Sequence, residues 1–273
     1  MTTPAGPPGA PPLPYDDDLR LALRIADAAD AESMARFDAA DLEVETKADS
    51  SPVSEADLAA ERAIRRMLEA ERPADGIVGE EFGRTGDASR QWIVDPIDGT
   101  ANYVRGIPMW GTLISLVEHG HPVVGVVSIP ALGRRWWAAE GAGAWTNTSA
   151  RPTRLRVSAI DAIEQASISF QSLAQWREAG HLNALLELAE RVHRDRAYGD
   201  VWPYMMLAEG RLEFVAEFDM KEYDIAAFVP IITEAGGRVT SFDGDAAIDT
   251  GSAFATNGVL HEALLGHFHP PAP

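Results

Sequence analysis

The chain has 273 residues, 46% of them hydrophobic, enough for one large domain or two closely packed lobes, and it has no cysteine, which excludes disulfides, thiolate metal sites and cysteine nucleophiles. Acids outnumber bases 42 to 23, and the resulting formal charge of −19 repels phosphate backbones and argues against nucleic-acid binding. No apolar run approaches the roughly 20 residues that cross a bilayer, so no membrane association is expected and the default location is the cytoplasm.

Residues 1–14 hold six prolines and no basic residue, unlike a signal or transit peptide, and read as a disordered tail. Asp16–Asp18 then open a helical pattern reaching about Phe37, with Leu19, Leu23, Ala26 and Ala29 on one face and acids where the helix dipole favours them. A polar segment from Glu43 to Ser51 contains Lys47. Ser54-x-x-Asp57 has the spacing of a helix-capping pair, and its helix carries Ile64, Met67 and Leu68 towards Pro73. Ile77-Val78 is a short strand running into Gly79-Glu80-Glu81, and residues 91–94 form another. Residues 111–118 and 122–129 predict a hairpin about Glu118-His119-Gly120-His121, followed by a strand over Arg134–Glu140 that turns at Gly141-Ala142-Gly143.

A second half begins near Arg151, with a strand at Ser167–Phe170, helices around 182–193 and 200–209, and a strand at 211–217. Asp224–Ala235 reads as one helix ending at Gly236-Gly237, and strands near 238–241 and 253–256 precede a short terminal helix. The mixture reads as a layered α/β (α+β) enzyme, with a metal-binding half at 15–150 and a half at 151–273 that completes one catalytic unit.

The most informative stretch is Trp92-Ile93-Val94-Asp95-Pro96-Ile97-Asp98-Gly99-Thr100. An apolar strand ends in an acid, and Pro96 removes a ladder donor, so the strand is expected to turn there and throw Asp95 and Asp98 into one space. Paired carboxylates are costly without a cation between them, and hard oxygens at this spacing suit Mg²⁺, which shares its shell with water and substrate phosphate. Glu80 and Glu81 follow another strand, and Asp57 and Asp224 open helices. An anionic substrate would need metal cations to approach so acidic a site. By contrast, His119-x-His121 falls in a hairpin turn and Trp110, Trp136 and Trp137 read as core or interface aromatics.

Gly79-Glu80-Glu81, the run Trp92–Thr100, and Tyr223-Asp224-Ile225-Ala226-Ala227 leading to Glu234-Ala235-Gly236-Gly237 together resemble the inositol monophosphatase superfamily of lithium-sensitive phosphatases. The resemblance covers residues 16–268 and implies an αβαβα fold with two to three Mg²⁺ ions. It implies one ion on Glu80, Asp95 and the Ile97 carbonyl, a second on Asp95, Asp98 and Asp224, and a weaker third using Glu80 and water. Thr100 and Asp57 resemble the family's water-activating pair, while the Gly99 and Thr100 amides would face a phosphate oxygen. Lys47 sits where the family places a basic residue near the metal-site loop; a solvated lysine is the alternative.

Asn102 to Pro108, Arg134-Arg135-Trp136-Trp137, Arg196 to Asp200 and Thr256-Asn257-Gly258 resemble the bacterial histidinol-phosphate phosphatase branch. That branch implies L-histidinol phosphate as the small-molecule partner, with Asp200 and Glu217 as acids suited to its organic end, and a homodimer as the assembly. Glu217 also suits an inositol, and Asp200 alone could be a helix cap. An inositol-1-phosphate or broader sugar-phosphate phosphatase is therefore the alternative. A catalytically silent metal-binding module is the other, though it has no need of Thr100.

Overall fold

The computed structural model describes residues 14–48, 51–86, 89–147, 151–246 and 248–269. The proline-rich stretch 1–14, apart from its last residue, lies outside them. The chain runs α1 (Asp16–Arg36), the small hairpin β1 (Val44–Thr46) and β2 (Pro52–Ser54), then α2 (Glu55–Glu71). It continues through β3 (Gly76–Gly79), β4 (Gly83–Thr85), β5 (Arg90–Asp98), α3 (Thr100–Val104), β6 (Gly111–Glu118) and β7 (His121–Ile129). Then come β8 (Arg134–Ala139), β9 (Gly143–Thr146), β10 (Thr153–Arg154), β11 (Ser167–Phe170), α4 (Leu173–Glu178) and α5 (Leu182–Ala189). The remainder is β12 (Arg194–Arg196), α6 (Trp202–Ala208), β13 (Phe214–Phe218), α7 (Glu222–Ile225), α8 (Phe228–Glu234), β14 (Arg238–Thr240), β15 (Ser252–Thr256) and α9 (His261–Phe268).

Two sheets organise these elements. An eight-stranded sheet has the order β10-β9-β8-β7-β6-β5-β3-β4, and a five-stranded sheet has the order β12-β11-β13-β15-β14. Period-2 alternation decides what each face meets. In β5, Trp92 and Val94 pack with Leu21, Ile25, Ile64 and Leu68 of α1 and α2. Ile93 instead joins Tyr204, Phe228 and Ile231 of α6 and α8, together with Val215, Ala253 and Ala255 of the second sheet. The other face of that sheet, with Phe214, Ala216 and Phe254, packs on Trp176, Leu185 and Leu264 of α4, α5 and α9. The result is five layers, αβαβα: α1 and α2, the large sheet, α6 to α8, the small sheet, then α4, α5 and α9. Trp110, Trp136 and Trp137 are all buried and belong to the core.

The expected single helix over 224–235 is instead two, α7 and α8, separated at Ala226-Ala227. The Ala226 carbonyl accepts a hydrogen bond from Ser115 Oγ of β6 at 3.1 Å. Pro230, four residues on, has no N–H for that carbonyl and its ring would clash there in a continuous helix. The helix expected over 182–193 ends early at Ala189, and Arg194–Arg196 pair in parallel with β11. Among the described residues no helix is long and apolar enough to cross a membrane.

Candidate active site

β3 and β5 are parallel neighbours with Gly79 opposite Val94, so both deliver their C-terminal ends to one edge of the sheet. That is why Glu80, just past β3, meets Asp95 of β5. Asp95 has the parity of Ile93 and therefore faces the middle helical layer. Pro96 does not end the strand as its sequence suggests. The ladder to β6 is lost across Pro96 and Ile97 and resumes where Asp98 pairs with Gly111. Gly99 then turns the chain with φ +85°, and a Cβ there would stand 3.2 Å from Asp200 Cγ.

From across the layer, α7 brings Asp224 and β13 brings Glu217, which shares the inward parity of Val215. Asp95, Asp98 and Asp224 offer carboxylate oxygens that all lie within 4.8 Å of one another. Each is oriented by one backbone amide: Ile97 N donates to Asp95 Oδ1 at 3.0 Å, Val201 N to Asp98 Oδ2 at 2.8 Å, and Lys221 N to Asp224 Oδ2 at 2.7 Å. Burial, then the charges of Glu80, Asp98 and Asp224, push the Asp95 carboxyl well above its usual range. Burial, then Asp200 and Asp224, do the same to Asp98, and burial raises Asp224 to about 7. Three mutually repelling carboxylates, each with an amide-fixed oxygen and a second oxygen to offer, form a hard donor set that fits Mg²⁺. They are the only group of three or more candidate metal-ligating side chains among the described residues, and His119 and His121 are not in it.

Glu80 lies beside this triad, close enough to raise the Asp95 pKa by charge and hydrogen bonding. Its own Oε1 accepts from Lys47 Nζ at 2.7 Å, and the same ammonium reaches Glu81 Oε1 at 2.8 Å. Lys47 is thus no solvated lysine. Burial opposes its charge, but the hydrogen bonds to Glu80 and Glu81 outweigh burial and raise its pKa. Burial lifts the Glu81 carboxyl to about 7.

Thr100 Oγ1 lies 3.0 Å from Asp57 Oδ1 and 3.0 Å from the Ile97 carbonyl. Asp57 is fully buried and also accepts from Ser54 N at 2.9 Å and Ser54 Oγ at 2.5 Å. One carboxylate therefore closes the cap of α2 and holds the Thr100 hydroxyl. The Gly99 and Thr100 amides sit at the opening of α3, within one turn of these groups.

A cavity of about 120 Å³ adjoins the triad, lined by Asp98, Asp224, Asp200, Glu217, Tyr204 and Phe218 among others. Asp200 adopts φ +53°, a conformation costly for a non-glycine residue, and Asn102 Nδ2 donates to its Oδ2 at 2.6 Å. Burial raises its carboxyl to about 6. Glu217 is 2% exposed, and its Oε1 has no hydrogen-bond partner. Burial, then the charges of Asp200 and Asp224, push it well above the usual range, against a hydrogen bond from Tyr204. Sequence reading assigned no role to Tyr204 or Asn102. Asn102 sits three residues after Gly99 and so returns to the same side of the α3 turn, a spacing that could have flagged it.

A model of the inositol monophosphatase family matches residues 16–270. Histidinol-phosphatase from Streptomyces coelicolor is 53% identical over 260 residues, covering 93% of this chain and 98% of that one. Histidinol-phosphatase from Mycobacterium tuberculosis is 51% identical over 251 residues, covering 91% and 96%. Among solved structures, an inositol monophosphatase from Zymomonas mobilis superposes with a TM-score of 0.83 at 34% identity, covering 94% of this chain and all of the other.

Proposed function

The chain belongs to the inositol monophosphatase family and is a phosphoric monoester hydrolase, and from that premise we propose that its substrate is L-histidinol phosphate, cleaved to L-histidinol and phosphate in histidine biosynthesis. The observation that carries the substrate choice is the pair Asp200 and Glu217. Both carboxylates are largely buried on the wall of the cavity beside the triad, and neither forms an ion pair among the described residues. Histidinol phosphate brings an ammonium two bonds from its ester carbon, which would neutralise them. Inositol 1-phosphate has no cation and would leave both charges buried without one.

The family is metal-dependent, usually on Mg²⁺. Asp95, Asp98 and Asp224 would hold one ion, with Glu80, Asp95 and the Ile97 carbonyl holding another, and the proposal extends to two or three ions. When bound, Mg²⁺ supplies charge neutralisation for the phosphate and acidifies the attacking water. The protein's own groups do the placing. Asp57 takes the Thr100 hydroxyl proton in a hydrogen bond, which leaves the Thr100 lone pairs free to accept from a water and aim it at phosphorus. The Gly99 and Thr100 amides would bind a phosphate oxygen. Asp98 is held by the Val201 amide just after Asp200, so the metal ligand and the organic-end acid share one rigid turn. A homodimer acting in the cytoplasm, with 15–150 and 151–273 working as one catalytic unit, completes the proposal; it is supported by the family resemblance.

The test is a ratio. Removing one partner of a desolvated, charge-assisted hydrogen bond costs about 2–5 kcal/mol, so Asp200→Asn and Glu217→Gln should each lose roughly 30-fold or more in kcat/KM for histidinol phosphate. Their loss with p-nitrophenyl phosphate should be far smaller. Equal losses on both esters would mean that these acids support the metal site or the fold, and the cationic substrate would lose its argument.

A further inference from the structure

α2 carries a row of ionisable groups at a spacing of four, Asp57, Glu61 and Arg65, all on one face. Asp57 is accounted for by Thr100. Glu61 and Arg65 touch neither the triad nor the cavity, yet Glu61 is fully buried and Arg65 is 8% exposed. Burying this pair is hard to explain by stability alone, because hydrophobic residues of similar volume often serve as well.

Their partners lie on the turn that carries Glu80 and Glu81. Glu61 Oε2 accepts from Glu81 N at 2.7 Å, and Glu61 Oε1 accepts from Phe82 N at 3.2 Å and from Arg65 Nε at 2.8 Å. Arg65 in turn donates to the Gly83 carbonyl, and its Nη1 reaches Thr85 Oγ1 at 3.2 Å. The pair thus grips the turn on its amide side and on its carbonyl side. The carboxylate passes so close beneath the end of β3 that a Cβ on Gly79 would overlap it, which explains a glycine at a position with no need of positive φ.

We propose that Glu61 and Arg65 are positioning residues that fix the Gly79–Gly83 turn, so that Glu80 presents its carboxylate to the divalent cation, and that cation affinity depends on this clamp. The proposal rests on the reading of Glu80 as a ligand. The acids of the turn are also held from the β1 side by Lys47, whose ammonium donates to both Glu80 and Glu81. With the backbone held by α2, Glu80 can leave Lys47 for a cation without the turn following. With the clamp loosened, the turn is free to settle on Lys47, and part of the binding energy of the cation is spent on restoring it.

The experiment titrates the full chain with Mg²⁺ by calorimetry and measures the Mg²⁺ dependence of phosphate release, for Glu61→Gln, Arg65→Lys and the ligand control Glu80→Gln. Groups that orient metal ligands typically set affinity by 10–100-fold. Glu61→Gln and Arg65→Lys should therefore weaken Mg²⁺ binding by roughly 10-fold and raise the half-saturating Mg²⁺ equally, with kcat at saturating Mg²⁺ nearly unchanged. A merely structural role would lower the metal-free melting temperature and leave the affinity of the folded protein alone. Folded variants with wild-type Mg²⁺ affinity, beside a Glu80→Gln control that loses it, overturn the clamp. A Glu80→Gln control that also keeps wild-type affinity overturns the ligand reading and the clamp with it. If Glu61→Gln is recovered unfolded, Arg65→Lys and Thr85→Val, which trims only the exposed end of the clamp, decide in its place.

Discussion

Asp95→Asn should separate folding from function with opposite signs. Asp95 is 2% exposed, and burial together with Glu80, Asp98 and Asp224 makes its charged form unfavourable. Asparagine has the same shape, and its Oδ1 can keep the 3.0 Å hydrogen bond from Ile97 N. Without metal the substitution removes one charge from a repulsive cluster, so the variant should melt at or above the wild-type temperature. With Mg²⁺ the sign reverses. A unit charge pair about 4 Å apart contributes about 4 kcal/mol at an effective dielectric near 20, a low figure for a divalent ion. Losing it should cost on the order of 10³-fold or more in kcat/KM. Saturating Mg²⁺ at about 100 times its Kd stabilises a protein by about 2.7 kcal/mol. For a chain of this size that corresponds to a rise of roughly 5–10 °C in the wild-type Tm, and the variant should show little of it. The assays are a thermal melt with and without Mg²⁺ and a phosphate-release titration. Asp95→Asn with wild-type turnover or a wild-type Mg²⁺ shift would refute Asp95 as a ligand.

Two further substitutions probe other parts of the chain. Thr100→Val deletes the hydroxyl held 3.0 Å from Asp57 while Ser54 still satisfies that acid, so kcat should fall roughly 10²-fold with Mg²⁺ affinity little changed, and Thr100→Ser should recover most of it; a kcat unmoved by the valine would remove Thr100 from water positioning. His261 is fully buried between Thr256 and Thr240, and burial, then the Arg238 charge, lower its pKa to about 4. Its unfolded pKa is about 6.5, so the unfolded chain binds the extra proton first and stability falls as pH drops from about 6.5 towards 4. Relative to His261→Gln, the wild type should lose on the order of 3 kcal/mol across that window. Parallel urea-stability curves for the two proteins would contradict this.

What could be read from the sequence was mostly local. The Ser54–Asp57 cap, the hairpin at residues 111–129 and the acids at the ends of β3 and β5 are all set by neighbours a few residues apart. The five-layer order followed from the family resemblance, and alternation along β5 and β13 then accounts for which way Asp95 and Glu217 point. What escaped depends on distant partners. Val201 meets Asp98 across 103 positions, a contact that no window of sequence contains; the Thr100–Asp57 pair, 43 positions apart, was legible only through the family resemblance, and the structure forms it at 3.0 Å. The break between α7 and α8 needs Ser115 from another strand as well as Pro230. Lys47 could be placed near the site but its two acid partners could not. Nothing in the sequence singles out Glu61 and Arg65, and only the turn packed over them shows why they are buried.

The central claim is that a cation-accepting organic subsite, Asp200 with Glu217, has been set beside a phosphate-ester hydrolysing centre. Its most direct test is phosphate release by the wild-type protein in Mg²⁺ from histidinol phosphate, inositol 1-phosphate, fructose 1,6-bisphosphate and 3′-phosphoadenosine 5′-phosphate, compared as kcat/KM. Histidinol phosphate should lead the others by about 30-fold or more, the worth of one desolvated ammonium–carboxylate contact, and excess EDTA should abolish all turnover. Equal or better hydrolysis of inositol 1-phosphate, or full activity after confirmed metal removal, would contradict the account.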